Sequence, residues 1–139
     1  MHAFRRALSV SLLVLLGFVL RSWDLAGVPL RWDEGWSIAH AALGVADILR
    51  ITAQDVHPPL YYLVLSVWQS GAGLTPFATR YLSVILSASA APLCFVAALA
   101  WTGNRRVALF AAGIMAWLPL AVYYGAVARM YALAPSFIL

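Results

Sequence analysis

All five acidic residues, Asp24, Asp33, Glu34, Asp47 and Asp55, and two of the three histidines, His40 and His57, fall between Arg21 and Tyr62 of a 139-residue chain. Carboxylates and imidazoles are the side chains that move protons near neutral pH. Gathered in one loop between apolar segments, they either present a reactive surface at a membrane face or solvate a long connection. Glycine-rich phosphate loops, zinc-ligand spacings and G-x-S-x-G elbows do not occur.

The rest of the chain is apolar. Hydrophobic residues make up 64% and charged residues 10%, with a mean hydropathy of +0.88, far from soluble averages and pointing to a bilayer as solvent. The net charge of +4 comes from arginines alone, set singly or in pairs between apolar segments. That scatter excludes a nucleic-acid patch, which needs clustered cations on one face. Cys94, the one cysteine, sits in an apolar run as a small core hydrophobe and rules out an intrachain disulfide.

The elements that must position the acidic loop follow from the runs around it. Residues 7–20 form an apolar run only about 21 Å long as a helix, short against roughly 30 Å of hydrocarbon. It reads as an uncleaved first span, with Arg21 snorkelling and Trp23 and Trp32 as interfacial anchors. From Glu34 to Arg50, Ser37, His40, Gly44 and Asp47 recur at three or four and predict one amphipathic surface helix whose polar face is solvated. Asp33 stands where an N-cap would. Pro58-Pro59 opens the next helix. Leu60 to Ala72, with a polar stripe at Tyr62, Ser66, Gln69 and Ser70, is too short to cross and reads as juxtamembrane or re-entrant. Residues 81–101 are the clearest crossing, 107–124 a third span kinked at Pro119, and 130–139 the start of a fourth; 21–80 is then an outer loop. Placing Arg5-Arg6 and Arg105-Arg106 on one side, as the positive-inside rule prefers, gathers Asp33, Glu34, Asp55, His57, Arg80 and 123–131 at the opposite face.

Four motifs in this order, Trp32-Asp33-Glu34-Gly35-Trp36-Ser37, Asp55-Val56-His57-Pro58-Pro59-Leu60-Tyr61-Tyr62, Arg80 and Ala128-Arg129-Met130-Tyr131-Ala132-Leu133, resemble the bacterial relatives of the dolichyl-phosphate-mannose protein mannosyltransferases. These belong, with the lipid A aminoarabinose transferases, to the C-type membrane glycosyltransferases. The resemblance runs from about residue 20 to the end. It implies an all-α, polytopic helical membrane protein of the bacterial plasma membrane, N-terminus cytoplasmic, with juxtamembrane helices in its first outer loop. The implied activity is inverting transfer of a sugar from a polyprenyl-phosphate donor to an acceptor hydroxyl on protein, glycan or lipid at the outer face. In that pattern Asp33 is the catalytic base with Glu34 beside it, and Asp55, His57, Arg80, Tyr124 and Arg129 contact substrate, the arginines holding the carrier phosphate. No organic cofactor or fixed metal ligand is implied; a divalent cation is left open.

The chain also departs from the family. Val127 stands where a second-loop carboxylate is common, and the family carries many more spans, so these 139 residues read as an N-terminal part that is inactive alone. Read locally, Glu34 suits a helix N-terminus, Asp55 a turn cap, Arg80 an interfacial anchor, and Tyr61, Tyr62, Tyr123, Tyr124 and Tyr131 interface aromatics. A non-catalytic module binding polyprenyl-phosphate or a partner bundle is the rival reading. A transporter ranks last, because a pathway needs ionisable residues inside the spans.

Overall fold

The computed structural model describes residues 2–135, with side chains from residue 8 onward. The side chains of Arg5 and Arg6 and residues 136–139 of the expected fourth span lie outside the described residues. The described chain is all-helical: α1 His2–Ser22, α2 Trp32–Ala41, α3 Val45–Thr52, α4 Leu60–Ala72, α5 Pro76–Ala88, α6 Ala90–Thr102, α7 Arg105–Trp117, α8 Pro119–Ala126 and a short 3₁₀ turn Met130–Ala132.

Two prolines shape the long apolar part. Pro92 has no N–H for the Ala88 carbonyl, and α5 and α6 meet there at a one-residue break. Together they still form, among the described residues, the one helix long and apolar enough to cross a membrane, Pro76–Thr102. Pro119 has the same defect, and α7 and α8 diverge by 54° at that point. Between α6 and α7 the chain reverses at Gly103, whose φ of 62° is left-handed and free of strain only for glycine. Asn104 then caps α7, its side chain accepting from the Arg106 N–H. The two helices pack side by side, and α1 lies against α5, α6 and α7. Leu8, Leu12, Leu15 and Val19 on α1, Val96 on α6 and Phe110 and Trp117 on α7 face outward.

A hydrophobic core lies at one end of this bundle. Ala41 of α2, Ile48 of α3, Tyr61, Tyr62 and Leu65 of α4 and Leu82 of α5 are buried together. Trp68 Nε1 donates to the Ala78 carbonyl and the Tyr61 hydroxyl pairs with Ser83 Oγ at 2.8 Å, joining α4 to α5. Burial pushes the Tyr61 phenol well above its ordinary range.

Three expectations change here. The single helix from Glu34 to Arg50 is two helices, because Gly44, extended with ψ of 155°, caps α3 and turns it so that Ile48 enters the core. His40 is not on a solvated face: it is buried between Trp36 and Tyr62, its Nδ1 2.8 Å from the Trp36 carbonyl. Asp47 does remain exposed, paired with Arg50. Tyr61 and Tyr62 are core residues rather than interface aromatics, since they fill the space between α2, α4 and α5.

Candidate functional site

The residue that organises the site is Glu34. It is the third residue of α2, and its Oε2 accepts from the Arg31 N–H at 3.0 Å, closing the helix N-terminus from inside. Arg31 is therefore the N-cap, and Asp33 sits in the first turn instead of capping it. The Glu34 side chain is fully buried against Arg80. Arg80 is delivered by α5, whose start is fixed by Thr75 accepting from the Ala78 N–H and by Pro76 in the first turn.

The pair is saturated on both sides. Arg80 Nε donates to Glu34 Oε1 at 2.8 Å and Nη2 to Oε2 at 2.6 Å, a two-point contact. The remaining donors go to the carbonyls of Leu25, Val28 and Pro29 at 2.8, 2.8 and 3.0 Å. Those carbonyls face inward because the chain after α1 turns at Asp24, which adopts a left-handed φ of 57° that aspartate tolerates. Glu34 Oε1 also accepts from the Ala128 N–H at 3.1 Å, tying in the segment after α8. Burial alone pushes the Glu34 carboxyl up, but the Arg80 hydrogen bonds, the Arg31 and Ala128 amides and the Arg80 charge outweigh it and hold it below the usual range.

This arrangement reassigns two residues. With five donors spent, Arg80 has none to offer a phosphate. Glu34 is closed off from solvent and from any acceptor. Both hold the α1–α2 loop, α2, α5 and the 127–129 segment in register.

Arg129 comes from the extended segment that precedes the 3₁₀ turn and meets α2 from the other side. Its Nη1 donates to the Asp33 carbonyl at 3.2 Å and its Nη2 to His57 Nε2 at 2.9 Å. A guanidinium only donates, so His57 Nε2 holds a lone pair and the proton is on Nδ1. That Nδ1–H points at Asp55 Oδ2, 2.6 Å away. The His57 contact and the Val56 amide hold the Asp55 carboxyl below its ordinary range. Arg129 Nε is buried without a partner.

The Asp33 carboxylate is only loosely held: Arg31 Nε is 3.8 Å away, and 42% of the side chain is exposed. Arg31 lies over the Tyr123 ring, Tyr123 meets Tyr124 edge-on at 5.2 Å, and Tyr124 meets Tyr131 at 5.0 Å, beneath Arg129. Arg129 thus links His57, and through it Asp55, to the Asp33 backbone and to the Tyr131–Tyr124 pair at one end of the bundle. Arg31 was the member that the sequence left unremarked; its place two residues before Asp33 was the only signal.

A divalent cation does not suit these residues. Among the described residues no group of three or more His, Cys, Asp or Glu side chains gathers, Val127 is apolar and buried, and Glu34 is spent on Arg80.

No family model, no curated protein and no solved structure matches the chain.

Proposed function

We propose that the chain is part of a membrane glycosyltransferase that moves a sugar from a polyprenyl-phosphate donor to an acceptor hydroxyl, with Asp33 as the base. The observation that carries this reading is the contrast within the Asp33-Glu34 pair. Glu34 is locked away, while the carboxylate of its neighbour is 42% exposed and has Arg31, 3.8 Å away, as its one ion-pair partner among the described residues. In the reaction the acceptor oxygen bonds to the anomeric carbon as its proton passes to Asp33. The bond from that carbon to the phosphate oxygen breaks, and the electron pair leaves on the phosphate. Arg129, with Arg31 across the aromatic row, supplies fixed positive charge as that phosphate charge develops. The tyrosines offer flat apolar faces to a sugar ring.

Membrane insertion is part of the same proposal. Pro76–Thr102 is long and apolar enough to cross, the bent α7–α8 pair passes the same test when taken together, and α1 turns its leucines outward. The α6–α7 turn supports the orientation: Gly103 and Arg105 lie beside Val10 in the first half of α1, the end opposite Arg21 and the site. The basic α6–α7 turn then faces the cytoplasm with the N-terminus, and the Asp33 end faces outward.

The direct test is transfer itself. Membranes carrying the protein, expressed from its own reading frame, should move label from a defined polyprenyl-phosphate-sugar to an acceptor fraction above a vector control. Tight donor binding with no transfer to any hydroxyl acceptor would favour the non-catalytic lipid-binding module, the reading that Val127 supports.

A further inference from the structure

Arg21, in the last turn of α1, and Ser87, in the last turn of α5, take no part in the site above, yet they are only 2% and 3% exposed. Arg21 holds the break between α7 and α8. Its Nη1 donates to the Gly17 and Ala116 carbonyls at 3.0 and 3.2 Å, and its Nη2 to Met115 at 3.2 Å. Met115 needs such a donor because Pro119 has no N–H to give it. Among the described residues no carboxylate forms a salt bridge with Arg21, and its Nε is buried without a hydrogen-bond partner. A buried cation held by carbonyls alone, with one donor unused, is a poor source of stability. What it supplies is a geometric constraint.

Both side chains close on Gly125, near the end of α8. Ser87 Oγ donates to the Gly125 carbonyl at 2.9 Å. A Cβ at Gly125 would come 2.6 Å from Arg21 Nε, 3.0 Å from its Cδ and 2.7 Å from Ser87 Oγ, so only glycine lets α8 approach this closely. Arg21 has little freedom to step aside, since its guanidinium is fixed at the Gly17, Met115 and Ala116 carbonyls. Ser87 can turn away only by releasing Gly125. The chain therefore has a fixed point before α8, where Arg21 holds the last turn of α7, and another near the end of α8. Just beyond Gly125 it leaves the helix at Val127, which is extended, and Arg129 follows. That segment donates from the Ala128 amide to Glu34 and carries Arg129 to the Asp33 carbonyl and to His57 Nε2. With so few residues between, a displacement of α8 by the width of a methyl group reaches the guanidinium.

We propose that Arg21 and Ser87, seated against Gly125, are positioning residues for Arg129: they set the end of α8 so that the guanidinium reaches the Asp33 carbonyl and His57. Their bearing on sugar transfer rests on the function proposed above. The placement of Arg129 against His57 does not, and the two are measured separately.

The test is ¹⁵N NMR of the His57 imidazole in the full chain in detergent, at one pH, with the resonance assigned by its loss in His57→Gln. Arg129→Gln defines the Nε2 shift without its donor. Gly125→Ala should move Nε2 most of the way to that value, and Ser87→Ala, which frees the Gly125 carbonyl, should move it in the same direction by less. Gly113→Ala is the control: a Cβ there meets Leu13 Cδ2 at 4.0 Å, an ordinary contact, and the Nε2 shift should stay at the wild-type value. Transfer supplies the second readout. Gly125→Ala should lower turnover by roughly 10²-fold, the effect of misplacing a group by about 1 Å. In an Arg129→Gln background it should lower turnover little further, because both changes act through one guanidinium. If Gly125→Ala does not fold, Ser87→Ala decides by the same two readouts. An unchanged Nε2 shift in the folded Gly125 or Ser87 variant, an equal shift in Gly113→Ala, or losses that multiply in the double variant would overturn the proposal and reduce Arg21 to a cap for the broken α7 helix. Absence of transfer in the wild type would count against the proposed function and leave the Nε2 shift to decide the placement.

Discussion

Arg80 and Arg129 both reach the first turn of α2, one from α5 and one from the segment after α8, and they differ in what is left of their hydrogen-bonding capacity. Arg80 places its donors on Glu34 and on three loop carbonyls. Arg129 touches one carbonyl and one neutral imidazole and keeps a buried Nε without a partner. A buried arginine that is fully satisfied fixes structure and has nothing to exchange for a ligand. One that is incompletely satisfied keeps hydrogen-bonding capacity that the saturated arginine lacks. The same contrast separates Glu34 from Asp33.

Removing one partner of the saturated pair should have the largest effect on folding. Glu34→Ala leaves the Arg80 charge buried and should cost about 3–5 kcal/mol, read as a drop in unfolding midpoint in detergent. Arg80→Gln should lose a similar amount, for the same reason. Loss of donor affinity in Arg80→Gln with stability unchanged would return that arginine to the phosphate. The pair should also show in acid. Glu34 has a folded pKa depressed below its ordinary value, so its contribution is fully present above the unfolded carboxyl range, about 4.3. It should be lost as pH falls from there through the folded value. Glu34→Ala should flatten that part of the stability profile.

Arg129→Gln should do less to folding and more to binding. Loss of a charged donor to a phosphate corresponds to about tenfold to hundredfold in affinity, measured with a polyprenyl-phosphate. Arg129→Lys should recover only part of it, since a point charge does not reproduce a planar fork. The smallest change is expected at the rim. Asp55→Asn should leave the unfolding midpoint where it is, because the Asp55 carboxylate is exposed, and should loosen the His57 tautomer. Imidazole ¹⁵N shifts should then report Nδ1 protonated in the wild type and a mixed population in the variant.

Much of the helical frame is legible in the sequence, because its signals are local. The Pro58-Pro59 pair and the Gly71 and Gly73 bracket mark α4, and the uncharged run from Tyr81 to Trp101 falls inside Pro76–Thr102. The crowding of carboxylates marks the loop that holds Asp33, but it is the motif resemblance that singles Asp33 out within it. The partnership of Glu34 with Arg80 is not legible, since the two are 46 positions apart and no periodicity relates them. An isolated arginine in an apolar chain looks the same whether it snorkels, caps a broken helix as Arg21 does, or is consumed by a glutamate as Arg80 is. Gly44 misleads in the other direction: the polar spacing continues through it, but its backbone is extended and the helix divides.

The central claim is that Asp33, and not its buried neighbour, takes the acceptor's proton. Asp33→Asn measures it most directly, because the side chain is nearly isosteric, half-exposed and outside the Glu34–Arg80 cluster. In membranes expressing the protein from its own reading frame, turnover with a defined polyprenyl-phosphate-sugar should fall by roughly 10² to 10⁴. Unfolding midpoint and donor affinity should stay at wild-type values. Near-normal transfer by a folded Asp33→Asn protein would contradict the assignment and leave the Asp33 carboxylate a solvated side chain on the first turn of α2.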